Sequence, residues 1–229
     1  VKPSVIAIDG SAASGKSTVA ALLAQALGYL YFDTGVMYRA VTWAALDQKI
    51  DINDIEQVSN LAENLIIEVE PATQNDNRPY TVRADGRDIT WDIRSAAVES
   101  AIGLVSSYPR VRAALTAQQR RIAAAGSIVM VGRDIGTVVL PQADLKIFMR
   151  ASAEERARRR YRENITRGKS ADYDEILRAI RERDRQDAEK PISPMVPASD
   201  AIIINTDGLC IEEVLSRVQQ LVSNNSASK

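Results

Sequence analysis

Apolar positions follow two rhythms along this chain. Short unbroken runs at Val5-Ile6-Ala7-Ile8, Ile128-Val129-Met130-Val131, Leu145 to Met149 and Ala201 to Ile204 have the length and continuity of strands buried on both faces. Between them the spacing is helical: Val19, Leu22, Leu23, Ala26 and Leu27 line one face as far as Gly28, a natural helix stop. The same rhythm predicts helices from about Val36 to Leu46, from near Arg94 to Ala125 with a pause at Tyr108-Pro109 and an end at Gly126, over residues 153–167 and 172–188, and from Ile211 to Val222. A further short strand, Tyr29 to Phe32, follows the first helix. Alternation of this kind implies a parallel, buried sheet with helices on both faces.

The alternation breaks between Leu65 and Ile89. Leu65 to Val69, Tyr80 to Val82 and Arg87 to Ile89 look like short strands, with Asp85-Gly86 placed as a tight hairpin turn and residues 75–79 as an exposed loop. This is read as a small antiparallel insertion. No internal repeat is visible, and the polar stretch Ser223 to Lys229 reads as a tail.

Composition narrows the class. A chain of 229 residues with 45% hydrophobic and 26% charged positions can bury a proper core, and its net charge of −1 argues against a disordered chain. No apolar run approaches a membrane span and Val1 to Ser11 lacks a secretory core, so the expectation is a cytoplasmic protein with no membrane partner. The chain has no histidine, which removes Ser-His and Cys-His hydrolase chemistry together with histidine metal sites. Cys210 stands alone and is expected to be a packed, inert thiol.

Gly10-Ser11-Ala12-Ala13-Ser14-Gly15-Lys16-Ser17 matches G-x-x-x-x-G-K-[ST] in full, between an apolar strand and an amphipathic helix. A polyphosphate needs several N–H donors converging from a backbone that can approach it closely, which requires glycines, and the helix that follows adds its positive end. Residues Gly10 to Thr18 are thus predicted to bind ATP, with Lys16 reaching the outer phosphates and Ser17 holding Mg²⁺. Such loops also occur in switches and motors, so the motif alone does not define an enzyme.

Charge supplies the next step. Between Arg150 and Lys169 eight basic residues face three acidic ones. Arg156, Arg159 and Arg160 fall at i, i+3 and i+4, on one helix face, and Arg158 and Arg162 form a neighbouring face. Such a cluster suits transfer of a phosphoryl group to an acceptor that is itself a phosphate, where the nucleophile is already anionic and charge neutralisation does most of the work. Two further candidate sites lie just past strand ends, where parallel sheets bind ligands. Thr34 and Arg39 can hold an acceptor phosphate by hydroxyl and guanidinium fork, Arg133 and Asp134 follow the strand at 128–131, and Tyr38 is expected to be a core aromatic.

The loop, the run Asp33 to Arg39, Tyr108-Pro109-Arg110-Val111-Arg112, Gly132 to Val139, Lys146-Ile147-Phe148, Glu154 to Ala157 and Arg183-Asp184 together resemble bacterial cytidylate kinase, in order and over nearly the whole chain. The resemblance implies a P-loop NTPase fold in one kinase domain. Residues 1–60, 94–149 and 191–229 would form the core, 61–93 a monophosphate-binding insertion, and 150–170 an arginine-rich lid that closes when both substrates are bound. It implies that Thr34, Arg39, Arg112 and Asp134 hold the acceptor, that Arg183 and Asp187 reach its ribose or phosphates, and that Lys16, Arg133, Asp134, Arg156 and Arg160 act in transfer. The substrates would be ATP, with Mg²⁺, and CMP or dCMP, bound by a monomeric protein with no nucleic-acid partner. Two positions depart from the family: Gly103 stands where a serine is usual and Lys190 where an arginine is, both near the base. Alternatives are a uridylate, thymidylate or shikimate kinase, or an ATP-dependent switch.

Overall fold

The computed structural model describes residues 2–189 and 194–227. In chain order, β1 (Val5–Gly10) leads into α1 (Lys16–Leu27), β2 (Leu30–Asp33) and α2 (Gly35–Asp47), followed by α3 (Ile55–Asn64). Three short strands come next, β3 (Ile67–Glu70), β4 (Thr81–Ala84) and β5 (Arg87–Asp88), then α4 (Ala96–Val105) and α5 (Pro109–Ala123). The chain continues through β6 (Ile128–Gly132), β7 (Leu145–Arg150), α6 (Ala153–Thr166), α7 (Tyr173–Ala188), β8 (Ile202–Asn205) and α8 (Ile211–Ala227). These elements divide between two compact units, one made of residues 1–29 with 129–229 and the other of residues 30–128.

In the first unit neighbouring strands follow the order β6-β1-β7-β8. The pairs β1–β7 and β7–β8 are parallel, with Ile6 opposite Leu145 and Ile147 opposite Ile202. The unbroken apolar runs are buried as expected: Ile6, Ala7 and Ile8 have no exposed surface, and Val129, Met130 and Val131 are equally covered. Helix α1 packs on β1 and on α8. The expectation of a fully buried sheet stops at its edge, because β8 leaves Ile202 40% and Ile203 51% exposed. The polar residues after Val222 extend α8 to Ala227, and the Asn225 side chain donates to the Asp144 carbonyl at 2.8 Å. Cys210 is exposed, not packed: it sits at the entrance to α8, where its backbone N–H donates to Glu213.

The second unit holds the antiparallel sheet β3-β4-β5. Asp85 and Gly86 both take positive φ in the two-residue turn between Ala84 and Arg87, as the hairpin reading requires. Helix α3 lies outside the elements predicted from the sequence; the Asp54 side chain caps it by accepting from Gln57 N, and Val58 and Ala62 are buried. Residues 75–79 are not simply an exposed loop either. The Arg78 side chain is 3% exposed, ion-paired with Asp76 and Asp88 and bonded to the hydroxyls of Thr81 and Thr90. An arginine tolerates burial because each N–H face of its fork meets an oxygen there.

Candidate functional site

In the first unit, the loop from Gly10 to Gly15 is shaped by contacts that side chains would prevent. A Cβ on Gly10, whose φ is +147°, would lie 2.2 Å from the Met149 carbonyl oxygen, so the loop starts pressed against β7. Ala13 and Gly15 also take positive φ, the kind of backbone turn in which successive amides can form an anion-binding nest. Asp54, Ser152 and Asp172 cap α3, α6 and α7, whereas α2, α4 and α5 are without side-chain caps, and so is α1 behind Gly15, which leaves that end of the helix to the loop. Its first N–H groups therefore have neither an intrahelical acceptor nor a capping side chain, and an anion can accept from them. Lys16 Nζ donates to the Ser11 carbonyl across the loop at 3.1 Å, Ser17 is half-buried on the first turn and Thr18 is exposed. Ser14 is fully buried, with its Oγ lacking a hydrogen-bond partner among the described residues.

The loop's carbonyls are gripped from behind. Arg159 donates to the Ser14 carbonyl at 3.2 Å and to the Thr206 carbonyl at 2.5 Å, and the Thr206 hydroxyl lies 3.2 Å from the same Ser14 oxygen. Arg156 reaches the Ala12 carbonyl at 3.4 Å while its fork engages the Asp184 carboxylate of α7. The three arginines of the predicted face thus separate. Arg156 and Arg159 are turned to the loop, and Arg160 pairs with Glu163 on the exposed side. Glu155 holds Arg159 from one turn earlier at 3.0 Å.

Asp9, the residue before Gly10, is not among the residues predicted from the sequence. It is 4% exposed, and its two carboxylate oxygens accept from Ile135 N at 2.8 Å and Gly136 N at 2.7 Å. Burial pushes its carboxyl up to about 6 against the pull of those two amides; Asp134 raises it further and Lys16 lowers it. Ile135 and Gly136 open a π-helical turn, Ile135–Val139, that begins right after Asp134, itself 8% exposed. Arg133 forms an ion pair with the buried Asp187 at 3.0 Å, and Arg183 is exposed on α7. The Ser17 hydroxyl on the first turn of α1 is a hard oxygen donor of the kind Mg²⁺ takes, directly or through water.

In the second unit, Asp33 accepts from Gly35 N at 3.0 Å at the entrance to α2, and Thr34 is 6% exposed. One turn on, Arg39 pairs with Glu99 of α4 at 2.6 Å and lies 3.5 Å from the Ile93 carbonyl. The Arg112 guanidinium stands 5.6 Å from the centre of the Tyr38 ring, so Tyr38 is a half-buried platform for a cation and not a core aromatic. Thr34, Arg39 and Arg112 therefore belong to one body, on α2, its cap and α5. Gly103, inside α4, has open space where a Cβ would stand, and Lys190 lies outside the described residues.

The family model described as cytidylate kinase matches residues 6–224. A cytidylate kinase of Chloroflexus aggregans is 51% identical over 216 residues, 94% of this chain and 92% of that protein. One of Herpetosiphon aurantiacus is 50% identical over 220 residues, 96% of this chain and 94% of that protein. Among solved structures, an uncharacterised protein from Eubacterium ventriosum superposes with a TM-score of 0.51 at 13% identity, covering 97% of this chain and 99% of that one, a likeness of fold alone.

Proposed function

The chain belongs to the cytidylate kinase family, and on that premise we propose that it transfers the γ-phosphate of ATP to CMP or dCMP, giving CDP or dCDP and ADP. The observation that carries the reading is the loop from Gly10 to Gly15, pressed on the Met149 carbonyl and turned by positive φ at Ala13 and Gly15, leading into an uncapped α1 with Lys16 at its first position, in a chain without a histidine base. The acceptor's phosphate oxygen is the nucleophile and needs no general base. The protein's task is to hold two polyanions and to neutralise the charge that moves between them.

Each group of residues has a part in this. The amides of residues 11–18 and Lys16 hold the ATP phosphates, and Ser17 is the protein ligand for Mg²⁺. When bound, Mg²⁺ would supply positive charge to offset that of the ATP phosphates. Thr34, Arg39 and Arg112 take the acceptor phosphate, Arg39 giving up Glu99 to do so. Asp134 orients the acceptor, Asp187 holds Arg133 by its ion pair, and Arg183 reaches the acceptor's outer groups. For Arg156 and Arg160 to act on the transferring group, each exchanges its carboxylate, Asp184 or Glu163, for phosphate oxygens as residues 150–170 close. The insertion at 61–93 frames the acceptor. The partners are the nucleotides themselves, and the protein works as a cytoplasmic monomer.

The test is an ADP-release assay with ATP and Mg²⁺, offering CMP, dCMP, UMP, AMP, dTMP and shikimate separately beside a control without acceptor. Turnover confined to CMP and dCMP is the expected outcome and shows that Gly103 and Lys190 still permit selection of cytosine. Release of ADP without any acceptor would sink the kinase reading in favour of a switch.

A further inference from the structure

Asp9 sits where an apolar side chain would be expected, at the end of the buried run Val5 to Ile8. A carboxylate in a covered strand is costly unless its oxygens are satisfied. Here they are satisfied by two successive amides, Ile135 N at 2.8 Å and Gly136 N at 2.7 Å, both on the turn that leaves Asp134. The approach is close: a Cβ on Gly136 would lie 3.3 Å from Asp9 Oδ2 and 3.3 Å from Lys146 Cδ, so that a larger residue there would push one of these side chains by a few tenths of an ångström. On its other side Asp9 is followed by Gly10, which is pressed on the Met149 carbonyl and has no freedom to drift. One residue thus ties the first glycine of the phosphate loop to the π-helical turn. Such turns recur at functional sites.

We infer that Asp9 is a positioning residue for the transfer reaction. Its carboxylate clips the turn 134–139 to the strand that feeds the phosphate loop, and so fixes the separation between Asp134 and Lys16. The inference rests on the reading of Asp134 as the residue that orients the acceptor. It predicts that loss of the clip acts through Asp134 and leaves the loop's own hold on ATP intact, because those amides belong to residues 11–18.

A double-mutant cycle of Asp9→Asn and Asp134→Asn tests it, with kcat, the KM for CMP and the Kd for MgATP measured on each variant. Asp9→Asn replaces one acceptor oxygen by an NH₂ that faces a backbone N–H, so one clip bond is lost. The expected result is a fall in kcat/KM for CMP of about tenfold or more, as for a displacement of part of an ångström at a reacting centre. The MgATP Kd stays within about twofold, and in the Asp134→Asn background the added loss nearly vanishes. Losses that multiply in the double variant, or a MgATP Kd that weakens in step with kcat/KM, overturn the inference. Unchanged kinetics in Asp134→Asn alone overturn the Asp134 assignment and the inference with it, an outcome distinct from a multiplying Asp9 effect. Should Asp9→Asn fail to fold, Gly136→Ala strains the same clip from the opposite side, and its cycle with Asp134→Asn separates the same outcomes.

Discussion

Asp9 combines burial with a carboxyl pushed up to about 6, and the consequence for stability has a definite sign. In the unfolded chain an aspartate titrates near 3.9. Between about pH 4 and pH 6 the folded protein therefore holds a proton that the unfolded chain has released. The stability linked to this group is complete below about pH 4 and is lost as the pH rises through about 6, on the order of 3 kcal/mol in all. Asp9→Asn has no such titration. Its urea midpoint should gain on that of the parent between pH 4 and pH 7.5, and a gap that stays constant would show that the carboxyl is not raised. Single residues also show what the sequence could and could not reveal. Lys16 and Ser17 were legible because the whole phosphate motif is local, eight positions in fixed order. Asp9 was not, because its partners lie 126 and 127 positions away, and only the oddity of an acid ending an apolar run pointed to it.

Helix α6 follows from its periodicity almost to the residue, and its arginine face from i, i+3, i+4 spacing. What spacing does not give is the direction of each fork. Arg159, not among the predicted transfer residues, reaches the Ser14 carbonyl of the phosphate loop and Thr206, whereas Arg160, which was predicted, pairs with Glu163 on the exposed side. Arg159→Ala removes charge-assisted bonds from the Ser14 and Thr206 carbonyls, at roughly 1.5–3 kcal/mol for such a bond. The MgATP Kd, read by titration calorimetry, should rise about tenfold or more. Arg158→Ala, which loses only an exposed pair with Glu155, should leave it unchanged. Equal effects of the two substitutions would mean that bulk charge and not the grip on the loop governs binding. Helix α3 teaches the reverse lesson. Its signals, Asp54 three residues before Gln57 and Val58 four before Ala62, are present and local, but the stronger strand-like run at 65–69 directly after them masks so short a helix.

Across the molecule, the class of fold followed from continuous apolar runs alternating with helical ones, and the antiparallel hairpin from Asp85-Gly86. The neighbour order β6-β1-β7-β8 did not, since periodicity marks a strand as buried without saying what lies beside it. It also overstated the covering of the last strand. At β8 the backbone on the outer side has no neighbouring strand among the described residues, and Ile202 and Ile203 are open to water beside it. Such an edge is a template for another chain, so the handling properties of the protein should be set here and not at the catalytic machinery. Concentrated or gently heated samples should turn cloudy through strand-to-strand association. Ile203→Lys places a charge on that edge and should raise the temperature at which light scattering begins, with kcat untouched; an unaltered onset would locate the weak point elsewhere.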